Sequence, residues 1–352
     1  MENLTKRQNQ ILGLIRENKE IKTKEIKEFL EEYGEKIDRT TVIRDLDNLL
    51  EKNLIKRVGR GRSTAYRLKI ENPLMTYYNP REYFSATSDR REIKERFEFN
   101  VFQYFDNSIF SKEDLQCLDN LNADYRNRMQ KLSPTILKKE YERLTIELSW
   151  KSSQIEGNTY SLIETETLIK EKIEAPGHTK SEAQMILNHK RALDYILERS
   201  DNFQKLTLDK IENLHQLIVE DLGVGRNIRK GLVGITGTVY KPLDNEFQIK
   251  EALDKMISVV NNEENHPLTK SISALALISY IQPFEDGNKR TARILSNAVL
   301  LANRFCPLSY RSIDENDYKK ATLLFYEQNS IFFLKELFIQ QFEFSAREYF
   351  SA

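Results

Sequence analysis

Apolar positions recur along this chain with two different periods, and the changes of period divide it. Between residues 5 and 17, Ile11, Leu12, Leu14 and Ile15 fall on one helical stripe. Thr23 can cap a second helix carrying Ile26, Phe29 and Leu30. Asp38 can cap a third, with Val42, Ile43, Leu46, Leu49 and Leu50 turned inward. The runs Leu54-Ile55-Lys56-Arg57-Val58 and Ala65-Tyr66-Arg67-Leu68 then alternate around Gly59-Arg60-Gly61-Arg62, which predicts a β-hairpin. Residues 71–90 hold two prolines and no stripe, and read as a linker that packs through its aromatics. Ile93, Phe97, Val101, Phe102 and Phe105 predict a helix over 91–110. Helical spacing returns at Glu140–Trp150, through Tyr141, Leu144, Ile146, Leu148 and Trp150. Strand formers Val233, Ile235, Thr238, Val239 and Tyr240, with turns at Gly234 and Gly237, predict a second hairpin within Arg226–Leu243. The most apolar segments are Ile272 to Ile281 and Ile294 to Leu301.

Composition agrees with a mainly helical protein: Gly and Pro number 12 and 8, while Leu, Ile, Lys and Glu dominate. A length of 352 residues suggests about two domains. Lys+Arg and Asp+Glu are 54 each, so charge carries information only by region. No apolar run approaches the ~20 residues of a membrane span, and the polar start does not read as a signal peptide. Cys117 and Cys306 stand far apart, in no metal spacing. Reduced thiols in a cytoplasmic protein are the expectation.

Three helices followed by a hairpin make a winged helix-turn-helix, here over residues 1–70. The order and spacing resemble DeoR-type DNA-binding domains. Such a fold would present Arg39, Thr40, Thr41 and Arg44 to the major groove. The hairpin carries Lys56, Arg57, Arg60, Arg62, Arg67 and Lys69 and no acid, which suits phosphate contact. Residues 1–70 hold 17 basic and 12 acidic side chains, a net +5. A winged helix used only for protein contacts is the alternative. Asp45, Asp47 and Glu51 would have to face away from DNA.

Between the two most apolar helices lies Gln282-Pro283-Phe284-Glu285-Asp286-Gly287-Asn288-Lys289-Arg290-Thr291-Ala292-Arg293. Pro283 ends one helix and the next begins near Asn288. Free N–H groups at that start, beside Gly287, form an anion nest. Arg290 and Arg293 share a helix face and suit a polyphosphate. Asp286, an acid among cations, suits a Mg²⁺ that bridges phosphates. Phe284 reads as a core anchor. An internal salt-bridge cluster is the competing account.

The stretch resembles the signature of the Fic family, HxFx[DE]GN[GK]RxxR, over about residues 130–340. The resemblance implies an all-helical core with a small β-hairpin flap, after the winged helix. It implies a linker and helical segment over 71–130, a Fic domain over 131–342 and a tail over 343–352. It implies transfer of AMP from ATP, with Mg²⁺, onto Ser, Thr or Tyr of a target protein. Asp286 would hold the metal, and Gly287, Asn288, Lys289, Arg290 and Arg293 the nucleotide. Val233, Gly234, Ile235, Val239 and Tyr240 would grip the target by strand addition. Tyr318 and Tyr326 would lie near the adenine. Ser152-Ser153-Gln154-Ile155-Glu156-Gly157 resembles the family's inhibitory motif [ST]xxxE[GN], on a helix of about 140–157. Glu156 would pair with Arg293 and exclude the γ-phosphate. A homodimer is the default for both parts.

Two positions depart from the commonest pattern. Lys289 replaces a frequent glycine, as in a phosphate-transferring branch. Gln282 replaces the histidine that takes the target's proton, and an amide accepts no proton near neutral pH. His178, His189, His215 and His266 all lie outside the signature. The first expectation is therefore a self-inhibited adenylyltransferase scaffold impaired by Gln282. The second is a DNA-binding regulator that senses nucleotide without turnover. The third is AMP removal or phosphate transfer. Finally, Arg-Glu-Tyr-Phe-Ser-Ala occurs twice, at 81–86 and 347–352, which suggests chance or two equivalent docking segments.

Overall fold

The structure, a computed structural model, describes residues 4–18, 20–32, 37–52 and 54–351. It divides into two compact units, Met1–Asn79 and Pro80–Ala352. It is mainly helical, with a single two-stranded sheet among the described residues.

The first unit holds α1 (Lys6–Glu17), α2 (Thr23–Glu32), α3 (Arg39–Glu51), β1 (Ile55–Val58) and β2 (Ala65–Leu68). The expected stripes meet in one core of Ile11, Ile15, Ile26, Leu30, Val42, Leu46, Leu49, Ile55 and Tyr66. Thr5 starts α1 with a capping box, its hydroxyl accepting from Gln8 N at 3.2 Å. The strands pair antiparallel, Ile55 opposite Leu68 and Val58 opposite Ala65. Ile21 extends the sheet by bonding both ways with Tyr66, at 3.0 and 2.8 Å. Gly59 is required at the tip: it has φ +76, and a Cβ there would meet Ser63 O at 2.4 Å.

The second unit contains α4 (Pro80–Tyr83), α5 (Lys112–Met129), α6 (Pro134–Ile155), α7 (Leu162–Glu171), α8 (Lys180–Glu198), α9 (Leu208–Val219), α10 (Glu246–Asn261), α11 (Pro267–Ile281), α12 (Asn288–Ala302), α13 (Glu315–Gln328) and α14 (Phe332–Glu348). The antiparallel pair α11–α12 is its centre, with α6, α8, α9, α10 and α13 packed around it. Every side chain from Ser271 to Ile281 is buried, as a helix apolar on all sides requires.

Two expected elements do not form. Residues 91–110 give short 3₁₀ turns at Phe99–Tyr104 and Asn107–Ile109, not an α-helix. The aromatics that suggested the stripe are drawn sideways into the core. Phe97 stacks on Tyr280 at 4.5 Å, and Phe105 meets Phe325 edge-on at 5.9 Å. Backbone bonds go outward as well: Lys94 N donates to Glu327 O at 2.9 Å. The segment Arg226–Leu243 forms no strand ladder; its one sheet-like contact is a parallel bridge between Lys241 and Arg96. The residues assigned to a tail from 343 continue α14 to Glu348, and Tyr349 and Phe350 beyond it are fully buried.

Candidate functional site

The site is the loop between α11 and α12. Gln282 ends α11 in the left-handed region, φ 51 and ψ 57, and its N–H donates to Ile278 O at 3.0 Å. Phe284 is fully buried and lies flat on His215, with ring centroids 3.6 Å apart. His215 Nε2 donates to Asp286 O at 2.9 Å, so one imidazole supports both ends of the loop. Burial holds it neutral, with its pKa down at about 4. Asn288 staples the loop from within. Its Oδ1 accepts from Phe284 N at 2.9 Å and its Nδ2 donates to Phe284 O at 2.8 Å. Both ends of the Asn288 amide are thus engaged within the loop, and only its backbone N–H is left for the expected phosphate contact. Gly287 has φ +79, and a Cβ there would stand 2.9 Å from Val219 Cγ1.

The cations line up along α12. Arg290 Nη2 donates to Asp286 Oδ2 at 2.9 Å, and Gly287 N donates to Asp286 Oδ1 at 2.6 Å. Arg293 is fully buried. Its Nε donates to Ser152 Oγ at 2.8 Å, and its Nη2 to Ser152 O and Glu156 Oε1, both at 2.9 Å. Its guanidinium lies 5.4 Å from the Tyr318 ring centre. Lys289 Nζ is 3.9 Å from Glu156 Oε2. Burial alone would raise the Glu156 pKa, but Arg293 and Lys289 outweigh it and hold the carboxyl below its usual range. The buried Nη1 atoms of Arg290 and Arg293 have no partner among the described residues. Two buried guanidinium edges without acceptors suit an anionic ligand. A cleft of about 200 Å³ opens here, lined by Glu156, Val233 to Thr236, Gln282 and Glu285 to Arg290.

Gln282 lines this cleft with its amide nitrogen tied down. Its Nε2 donates to Ser279 O at 2.6 Å and to the Tyr326 hydroxyl at 3.3 Å. Its carbonyl accepts from Arg229 Nε at 2.6 Å. Arg229 also donates to Gly231 O and Leu243 O, both at 2.5 Å. This buried guanidinium thus ties both ends of 231–243 to the end of α11. Between those ends the expected hairpin does not form, and its strand residues make no ladder. Val233, Gly234, Ile235 and Val239 stay accessible, whereas Tyr240 does not. Tyr240 is buried, stacks on Tyr280 at 5.0 Å, and its hydroxyl donates to Tyr280 O at 3.0 Å. It anchors the segment instead of presenting an edge. Tyr318 and Tyr326 are buried as well.

The motif at the end of α6 has a partner that the sequence did not announce. His189 on α8 is fully buried, and its Nε2 lies 2.8 Å from Ser152 Oγ. Its Nδ1 donates to Met185 O at 2.9 Å, which leaves Nε2 to accept from the serine. Burial and the nearby Arg290 push its pKa down to about 3. The available signal was its helical spacing with Ile186 and Leu193, which put an imidazole on a buried face. Arg229 offered no signal, since its acceptors are backbone carbonyls, two of them on the distant residues Leu243 and Gln282. None of the four histidines replaces Gln282 at its position. His178 bonds near Thr159, His266 faces Asp119, and the other two hold Ser152 and Asp286.

In the first unit, Arg39, Thr40 and Arg44 are exposed on α3 and Thr41 is half-buried. Asp45 faces inward, accepting from Arg7 Nε at 2.5 Å and Gln8 Nε2 at 3.3 Å. Asp47 pairs with Arg57 at 3.2 Å, and Arg67 pairs with Glu20. With Lys69 paired to Glu71 at 3.5 Å, three of the hairpin's cations are partly neutralised, and Arg60 remains exposed at the tip. The side chain of Arg62 lies outside the described residues.

Comparison with known proteins finds one family in each unit, the repressor match running past Asn79 into the second. Residues 205–300 match the model of the Fic/DOC family, and residues 4–121 match that of the penicillinase repressor. A protein adenylyltransferase Fic of Nematostella vectensis is 33% identical over 175 residues, 47% of this chain and 40% of that protein. The Drosophila ananassae counterpart is 25% identical, over 44% of this chain and 31% of its own length. The chain thus spans less than half the length of these relatives. Among solved structures, Fic-1 of Caenorhabditis elegans superposes with a TM-score of 0.56 at 19% identity, covering 67% of this chain and 70% of that one. A Fic domain containing signaling protein of Bacteroides thetaiotaomicron gives a TM-score of 0.56 at 21% identity, over 65% and 93%. The second unit has the Fic fold, and the first carries a repressor-like winged helix segment.

Proposed function

We propose that this chain is a Fic-type nucleotidyl-transfer scaffold that binds ATP with Mg²⁺ at the α11–α12 loop and is held in check by Glu156. The ion pair between Glu156 Oε1 and Arg293 Nη2, at 2.9 Å, carries the reading. A buried arginine at the head of an anion nest is occupied by a carboxylate from another helix, where a terminal phosphate would compete for it. The protein groups fit the metal. Asp286 is a carboxylate beside the nest with its side chain 66% exposed, and Mg²⁺ commonly takes one or two carboxylates together with substrate phosphates. When bound, the metal would neutralise phosphate charge and orient the phosphates. The N–H of Asn288, joined by that of Gly287 once Asp286 turns from it to the metal, would hold the inner phosphates with Lys289 and Arg290, and Arg293 the outer one. The accessible edge at Val233 to Ile235 would receive an extended segment bearing Ser, Thr or Tyr.

The chain's own residues supply no proton acceptor at position 282, and loss of a general base lowers rates by about 10²–10⁴-fold. Turnover of the chain as it stands is therefore expected to be small. The decisive experiment incubates the protein and Gln282→His, each with and without Glu156→Gly, with α-labelled ATP. Label on protein in the Gln282→His forms, strongest with Glu156→Gly, supports the reading. Equal, background label in all four sinks it, and transfer of γ-label instead would point to phosphate transfer assisted by Lys289.

A second reading has its own support. An amide stands at position 282 with its nitrogen bonded to Ser279 O, and the N-terminal part matches a repressor model. A DNA-binding regulator that senses nucleotide without turnover would show ATP-dependent operator affinity and no transfer.

A further inference from the structure

The two copies of Arg-Glu-Tyr-Phe-Ser-Ala are seated alike. In the first, the Tyr83 hydroxyl donates to Glu327 Oε2 at 2.8 Å, Glu327 is fully buried and paired with Arg91 at 2.8 Å, and Arg91 lies 5.6 Å from the Tyr83 ring centre. In the second, the Tyr349 hydroxyl donates to Glu147, Glu147 is buried and paired with Arg311 at 2.9 Å, and Arg143 lies 4.6 Å from the Tyr349 ring centre. Both tyrosines therefore meet a buried glutamate and an arginine over the ring, from segments about 260 residues apart with no longer repeat around them. Burial, with the adjacent glutamate adding to it, keeps both phenols protonated, as donation requires.

The second seat is built almost wholly on α6. Glu140, Arg143 and Glu147 are spaced three and four apart and line one face. Arg143 Nη2 donates to Glu348 O at 2.7 Å, and Glu140 Oε2 accepts from Phe350 N at 2.7 Å. The Phe350 ring packs edge-on against Tyr141 at 4.8 Å and Tyr125 at 5.3 Å. This helix ends at Glu156, the residue that occupies Arg293.

We infer that α6 carries a recognition site for a short Tyr-Phe segment, filled here by the chain's own residues 347–351, and that its filling steadies the presentation of Glu156. The site reads the tyrosine hydroxyl through Glu147, the ring through Arg143, and the following backbone N–H through Glu140. The coupling to Glu156, though not the site itself, rests on the proposed opposition between Glu156 and ATP.

The test deletes residues 347–352 and adds labelled Arg-Glu-Tyr-Phe-Ser-Ala peptide in trans. The folded truncated chain is expected to bind it saturably, and the Tyr-to-Phe peptide about tenfold or more weakly, since a hydrogen bond to a charged group is lost. ATP is expected to bind the truncated chain several-fold more tightly, and added peptide to reverse this. No saturable binding, or equal binding of the two peptides, overturns the site. Peptide binding that leaves ATP affinity unmoved overturns the coupling, with Glu156→Gly as control. If that control also leaves ATP affinity unmoved, it is the nucleotide reading that fails, and the peptide arm still decides the site. Should the truncated chain not fold, Tyr349→Phe in the full chain decides. Faster amide exchange over 347–351 is expected, and unchanged exchange overturns the site.

Discussion

At the scale of single residues, the cleft depends on which groups are kept charged. Glu156, half-buried, is held ionised and His189, fully buried, neutral, and both touch the Ser152–Arg293 cluster. For a histidine whose folded pKa is depressed, the unfolded chain binds more protons between that value and its ordinary 6.5. Stability is therefore whole above about pH 6.5 and falls as pH drops towards the folded values of about 3 for His189 and about 4 for His215. Lowering pH from 7 to 5 should cost about 2 kcal/mol per such histidine. His189→Gln should remove roughly one such share, which a comparison of denaturant midpoints at the two pH values will measure. A Gln amide can still accept from Ser152, so inhibition should survive in that variant, whereas His189→Leu should tighten ATP binding. Position 282 is a different case. Gln282→His in the Glu156→Gly background should raise labelling by about 10²–10⁴-fold, read by α-label incorporation.

At the scale of elements, helices announced themselves and the segment opposite the cleft did not. The stripes of α1 to α3 and the apolar runs of α11 and α12 are local patterns, and burial follows them. The hairpin expected within Arg226–Leu243 does not form: Tyr240 is drawn into the core against Tyr280, and Arg229 bonds the carbonyls of Gly231, Leu243 and Gln282. No periodicity encodes a guanidinium that caps a helix and staples a loop at once. Arg229→Met should release these bonds, each a charged one worth about 1.5–3 kcal/mol. Faster proteolytic cutting within 231–243 and a lower melting temperature are the expected results. Gly287→Ala should be similarly damaging, because φ is +79 and Val219 leaves no room. Loss of ATP binding with retained helicity would register it.

At the scale of the molecule, two compact units carry separate chemistries. The first is proposed to bind DNA through α3 and the hairpin tip. Arg60→Ala should lower operator affinity and reduce the slope of log K against log salt by about one. An unaltered slope would point to the protein-contact alternative. No helix among the described residues is long and apolar enough to cross a membrane. Taken alone, the sequence determined the helical class, the winged helix core, and the loop of glycine, acid and cations between two apolar helices. Those are properties of neighbours in the chain, where spacing of three, four or two maps directly onto a buried face. Only the tertiary structure decided that Glu156 reaches Arg293, that Arg229 reaches the end of α11, and that Tyr349 rests on the helix bearing Glu156. Such contacts join residues tens to hundreds of positions apart, and a buried charge finds its partner through the packing of whole helices.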